Sequence, residues 1–144
     1  VSAFITRFAL PVVITALIGL AATGNLFSPS PVVIAIQLLA IALAVWARRS
    51  FPAGAFRVAA TPAASTVIQR GPYRFIRHPM YSAALLFIWA GVFSHVSLLT
   101  LAVGGVVTAV AAARIILEER LLRARYAEYA AYVRTTKAVV PYLL

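Results

Sequence analysis

Apolar residues run almost unbroken through four stretches of the chain, at about 3–22, 31–47, 79–93 and 96–117. Each approaches the roughly 20 residues that an α-helix needs to cross the ~30 Å hydrocarbon core of a bilayer. Pro11 lies inside the first stretch, which a membrane helix tolerates. Pro31 opens the second in the first-turn position that suits proline, and Trp46 closes it as an interfacial aromatic would. Between these two, Thr23-Gly24-Asn25 and Ser28-Pro29-Ser30-Pro31 form a turn cluster. Ser94 and His95 make a short link between the third and fourth. Beyond residue 117 the pattern changes. Leu122, Tyr126, Tyr129 and Val133 recur at i, i+4, i+7 and i+11, with Arg120, Arg123 and Arg134 off that stripe. The spacing predicts an amphipathic helix over 118–134, at the membrane surface or packed on the bundle.

The expected architecture is therefore all-α: a polytopic membrane protein with about four transmembrane helices and a C-terminal amphipathic helix. It forms one membrane domain over 1–144, with a helical hairpin at 1–47, a cytoplasmic loop at 48–78, a second hairpin at 79–117 and an interfacial helix and tail at 118–144. The composition agrees. The chain is 63% hydrophobic and 11% charged, whereas about a quarter of a soluble domain is charged. It has no cysteine, so disulfides and thiolate metal sites are excluded.

Charge then orients the spans. The net charge is +10. In so apolar a chain this reads as the positive-inside rule and as contact with anionic lipid headgroups, not as nucleic-acid binding. With the N-terminus in the cytoplasm, loops 24–30 and 94–95 fall outside, and neither contains Lys or Arg. All thirteen basic residues lie in the N-terminal segment, the middle loop or the C-terminal region. The expectation is a multi-pass protein of the inner or plasma membrane with both termini cytoplasmic. Arg7 ahead of an apolar run has the look of a signal peptide, but the run leads into a second hydrophobic segment and reads as a retained helix. The middle loop holds Arg48, Arg49, Arg57, Arg70 and Arg74, broken by Pro52, Gly54, Pro62, Gly71 and Pro72. Gly104-Gly105 permits close helix contact without indicating an oligomeric state.

The polar residues that carry chemistry fall in two groups. One is the run from Gly71 through Arg77-His78-Pro79-Met80-Tyr81, which opens the third span. The other is Arg114-Ile115-Ile116-Leu117-Glu118-Glu119, which closes the fourth. A hairpin turning near residue 96 places 79 and 114 at equal depth, with Glu118 about 6 Å further out. Both groups then meet at the cytoplasmic membrane face. Donors at the start of the third helix, Arg77 and His78, would face the carboxylates of Glu118 and Glu119. Such a pair of walls suits a ligand carrying both an anion and a cation, as an amino-acid moiety does. His95 lies in the outer turn, at the opposite face from His78, so a shared metal is not expected.

The same residues resemble the isoprenylcysteine carboxyl methyltransferases, with phospholipid methyltransferases similar in the same places. The resemblance rests on Gly71–Tyr73, Arg77-His78-Pro79-Met80-Tyr81, Arg114-Ile115, Glu118-Glu119, Leu122, Tyr129, Tyr132 and Val140-Pro141. Ser82-Ala83 and Tyr126-Ala127 depart from it where many members carry a glycine. It implies a site for S-adenosylmethionine at the cytoplasmic face, capped by the C-terminal segment. Tyr73, Arg77, His78, Tyr81, Glu118 and Glu119 are the residues it implies for the cofactor. A lipophilic or lipidated acceptor would enter sideways from the bilayer, with membrane lipids as the other partners. The preferred acceptor is a prenylcysteine-like carboxylate, which needs no general base because it is ionised near pH 7. Arg114, then Arg74, is the candidate to orient it. A phospholipid amine is the alternative, with Glu118 as the group that takes its proton. A sterol-type reductase and a non-enzymatic helical membrane protein are the rivals of other classes.

Overall fold

The computed structural model describes residues 2–51 and 67–140, with side chains from Phe8 onward in the first helix. Arg57 and the breakers Pro52, Gly54 and Pro62 lie outside the described residues, as does Pro141. The described chain is all-helical. Its helices are α1 (Ser2–Ala22), α2 (Pro31–Arg49), α3 (Pro79–Ser94), α4 (Leu98–Arg125) and α5 (Tyr129–Thr135), with one 3-10 turn at Gly71–Arg74. α2 and α4 are long and apolar enough to cross a membrane, and Phe8–Ala22 and Pro79–Ser94 are shorter apolar helical stretches. Ile18, Val32, Leu38 and Leu39 are exposed on α1 and α2. Large apolar faces of this kind belong against lipid rather than water.

Local sequence explains the helix ends. Asn25 N–H donates to Leu20 O and Gly24 N–H to Ala21 O, and Gly24 has φ +72°. This is the left-handed Schellman stop that glycine allows. At the start of α4, Ser97 Oγ accepts from Thr100 N–H and Thr100 Oγ1 accepts from Ser97 N–H, a reciprocal capping box.

α2 packs on α3, and α1 packs on α4. One core gathers Leu20, Leu26, Ile88, Val92 and Val107. Gly91 lets Leu26 lie against α3: a Cβ there would come 2.5 Å from Leu26 O. Buried Gln37 on α2 donates to Leu26 O at 2.8 Å and to Phe87 O at 3.4 Å. Its amide is thereby satisfied where water cannot reach it. The 3-10 turn is docked on the end of α2. Arg70 Nε donates to Ser50 O at 2.7 Å. Gly71 has φ +59°, and a Cβ on it would collide with Ser50 Oγ.

Two expectations change. The charged stretch expected as one helix over 118–134 is divided: α4 continues to Arg125, and α5 follows after a turn at Tyr126–Glu128. Tyr126, Tyr129 and Tyr132 are all buried in one cluster. On an uninterrupted helix, residues three apart drift around the axis by about 60° per step. The break brings all three rings inward. The hairpin register also differs. Trp89 meets Thr108, Tyr81 meets Glu118 and His78 meets Glu119. The start of α3 therefore lies opposite the glutamates rather than opposite Arg114, because the connection extends to Ser97 before α4 begins.

Candidate functional site

Two adjacent environments meet at the first turn of α3. The first is an ionic cluster. Proline at the first helical position leaves His78 as the N-cap of α3. Its imidazole, nearly buried, stands between two carboxylates. Nε2 is 3.2 Å from Glu119 Oε1, and Nδ1 is 3.7 Å from Glu118 Oε2. Tyr81, one turn on, donates its hydroxyl to Glu118 Oε1 at 2.6 Å. Arg114 reaches the same oxygen at 3.1 Å from one turn back on α4.

The neighbouring glutamates are used differently. Glu119 accepts from Arg77 Nε at 2.7 Å and lies 3.4 Å from Arg123 Nη2. Arg77 also donates Nη1 to Thr136 O at 2.5 Å. It thus joins α4 to the segment after α5. Among the described residues, both short contacts of Glu118 are on Oε1. Its Oε2 lies 3.7 Å from His78 Nδ1, too long for a hydrogen bond. A carboxylate offers about four lone-pair sites, so Glu118 retains accepting capacity on that side.

The segment after α5 straps the site. Arg77 N–H donates to Lys137 O at 2.7 Å, His78 N–H to Ala138 O at 3.0 Å and Lys137 N–H to Phe75 O at 3.1 Å. Ser82 Oγ donates to Val139 O at 2.5 Å. The backbone N–H of His78, which a helix start leaves available, is thereby taken by the strap. Tyr132 anchors α5 by donating its hydroxyl to Tyr73 O at 2.6 Å. Burial pushes the phenols of Tyr73 and Tyr132 well above their usual range, so both stay protonated. Tyr129 is fully buried beside them, and its hydroxyl has no short hydrogen bond among the described residues. Burial, and after it the charge of Glu119, pushes this phenol up as well.

The second environment is an apolar cavity of about 640 Å³. Leu43 and Trp46 of α2 line one side, and Ser82, Leu85, Leu86 and Trp89 of α3 line the other. The 3-10 turn and strap close its near end with Pro72, Phe75, Val139 and Val140. Ser82 lies one turn beyond His78, to whose carbonyl its hydroxyl also donates. The ionic cluster and the cavity therefore share the same turn of helix.

Of the residues singled out in the sequence, the structure brings together Arg77, His78, Tyr81, Arg114, Glu118 and Glu119. Tyr73 stands at the margin: its ring packs edge-on against Phe51 at 5.3 Å, and its carbonyl holds α5. Arg74 is exposed on the turn, between two cavity-lining residues. His95 is at the far end of α3, 2.9 Å from Ser94 Oγ. Ser82, Thr136 and Tyr132 were not among the site residues that the sequence singled out, although Tyr132 belongs to the resemblance and Ser82 departs from it. Two of them act by pairing with carbonyls, and Thr136 acts through its own carbonyl. Sequence spacing does not reveal backbone partners from distant segments.

Buried His78 and Arg114 beside two partly buried carboxylates mark this end of a helical membrane protein as the candidate site, since ionisable groups are expensive there. Residues 31–129 match the model of the phospholipid methyltransferase family. The chain belongs to that family and is a membrane methyltransferase. No curated protein and no solved structure matches it.

Proposed function

We propose that the protein transfers a methyl group from S-adenosylmethionine to the polar end of a lipophilic acceptor. The reading places the site at the cytoplasmic face of a four-span, multi-pass protein with both termini in the cytoplasm. The observation that carries it is the shared first turn of α3: a cluster suited to a polar, doubly charged ligand on one side and an apolar cavity on the other.

The residues present fit the methyl donor. Glu118 Oε2 has capacity for an ammonium group, and Tyr81 and His78 add polar atoms beside it. S-adenosylmethionine supplies a methyl group on a positively charged sulfur. The protein's work is to hold two partners in line and to exclude water. Arg77 and Glu119 hold the frame, and the strap residues Val139 and Val140 keep the cavity end apolar.

For a prenylcysteine-like carboxylate, exposed Arg74 is the orienting residue, because Arg114 already lies against Glu118. The second reading is a phospholipid amine, in keeping with the family description. The spare oxygen of Glu118 beside His78 would then receive the proton.

The test uses purified protein in detergent. S-adenosylhomocysteine should bind, and Glu118→Gln should weaken binding by tenfold or more, as loss of a hydrogen bond to a charged group does (about 1.5–3 kcal/mol). Radiolabelled methyl transfer to a prenylcysteine analogue or to phosphatidylethanolamine separates the two acceptors. Absence of S-adenosylhomocysteine binding sinks the proposal, and binding of NADPH instead would favour a reductase.

A further inference from the structure

On α3 the cavity is lined from Ser82, near the first turn, to Trp89 two turns further on. Its α3 wall is the stripe Ser82, Leu85, Leu86 and Trp89, at i, i+3, i+4 and i+7 on one helix face. The next position on that stripe, Phe93, stacks against the Trp89 ring with centroids 5.0 Å apart. Trp89 is held on its other sides too. Its indole N–H donates to Thr108 Oγ1 at 3.0 Å, and Thr108 donates onward to Gly104 O at 2.8 Å. Gly104 lies directly beneath the six-membered ring: a Cβ there would come within 3.1–3.4 Å of it. Swinging the indole aside would strand a polar N–H in an apolar bundle, which is costly.

We infer that Trp89 is a specificity-determining residue that sets the length of hydrocarbon chain the cavity accepts. The inference rests on the proposed acceptor site, and the occupant is the acceptor's hydrocarbon tail, lying along α3 with its polar end at the first turn. Seven residues separate Ser82 from Trp89, about 10 Å at 1.5 Å per residue. A zigzag chain with C–C bonds of about 1.5 Å covers that distance with about eight carbons. Longer chains must bend out past α2 or stay in lipid.

The experiment measures equilibrium binding, not turnover. The chain, held in amphipol without added lipid so that tails beyond the cavity meet water, is titrated with N-acetyl-S-alkylcysteines, and separately with lysophosphatidylethanolamines, carrying four to sixteen carbons. Affinity should rise about fourfold per carbon while each methylene is buried, then stop rising near eight. Trp89→Ala should move that break outward by about three or four carbons, the reach of the removed ring. Gly104→Ala presses on the ring from behind. It should weaken the eight-carbon ligand about fourfold, equivalent to one excluded methylene, and leave the four-carbon ligand unchanged. This second variant serves if Trp89→Ala fails to fold.

An affinity that climbs steadily to sixteen carbons, or a break at the same length in both variants, overturns the inference, as does failure of both series to bind. Methyl transfer with a steady climb would leave the proposed activity standing and remove Trp89 from it. A break near eight carbons without any methyl transfer would do the reverse.

Discussion

At one end of the α3–α4 hairpin, Ile88, Val92 and Val107 pack together, with Gly104 beneath Trp89. At the other end, the same two helices meet through Arg77, His78, Tyr81, Arg114, Glu118 and Glu119. The apolar end is held by close contact, with the indole of Trp89 hydrogen-bonded to Thr108. The ionic end is held by interlocked charges, and little of it could be removed without leaving a buried charge unpaired. The chain has three acidic residues, and two of them stand side by side here. The apolar end needs only shape, and many residues would supply it. The ionic end needs specific groups at specific positions, and it is the end that can bind and orient a polar ligand.

Within the ionic end, Glu118 and Glu119 divide the work. Glu119 is committed to Arg77, His78 and Arg123 and joins α4 to the strap through Arg77. Glu118 rests on Tyr81 and Arg114 and has one oxygen without a short contact among the described residues. Adjacent residues on a helix point about 100° apart, so they face different neighbours.

The strongest way to break the comparison is Arg77→Met. It removes the cation from a nearly buried pair and the donor to the strap carbonyl. Removing one partner of such a pair costs about 3–5 kcal/mol. Thermal stability in detergent should fall further for Arg77→Met than for Gly91→Ala, Thr108→Val or Arg123→Ala. Gly91→Ala attacks the apolar end, where the added methyl meets Leu26 O at 2.5 Å. Overpacking of this kind costs about 1–3 kcal/mol. A fall exceeding that of Arg77→Met would mean that packing, not charge, dominates the fold. Thr108→Val removes the inter-helix bond to Trp89 with little change of shape. Such bonds average about 0.6 kcal/mol in membrane proteins, a small shift that differential unfolding curves would resolve. Arg123→Ala should change least. Its side chain is 53% exposed, and an exposed i, i+4 pair contributes about 0.3–0.5 kcal/mol. An effect comparable to Arg77→Met would show Glu119 depending on its exposed partner.

The sequence by itself determined the helical class, the apolar stretches, most helix starts and the residue types at the ionic end. Those follow from local physics: runs of apolar side chains, prolines at first turns, a glycine stop after α1 and serine at the α4 cap. It also put His78 and the glutamates at the same end of one hairpin, because a short link makes the two helices antiparallel. Tertiary structure alone decided the register that sets His78 against Glu119, the break that divides the charged stretch into the end of α4 and α5, and the strap across residues 75–82. Those depend on contacts between segments some 40 to 60 positions apart, and many are made to backbone carbonyls. Every residue type carries such a carbonyl, so no pattern of side chains marks where the chain will return to use it.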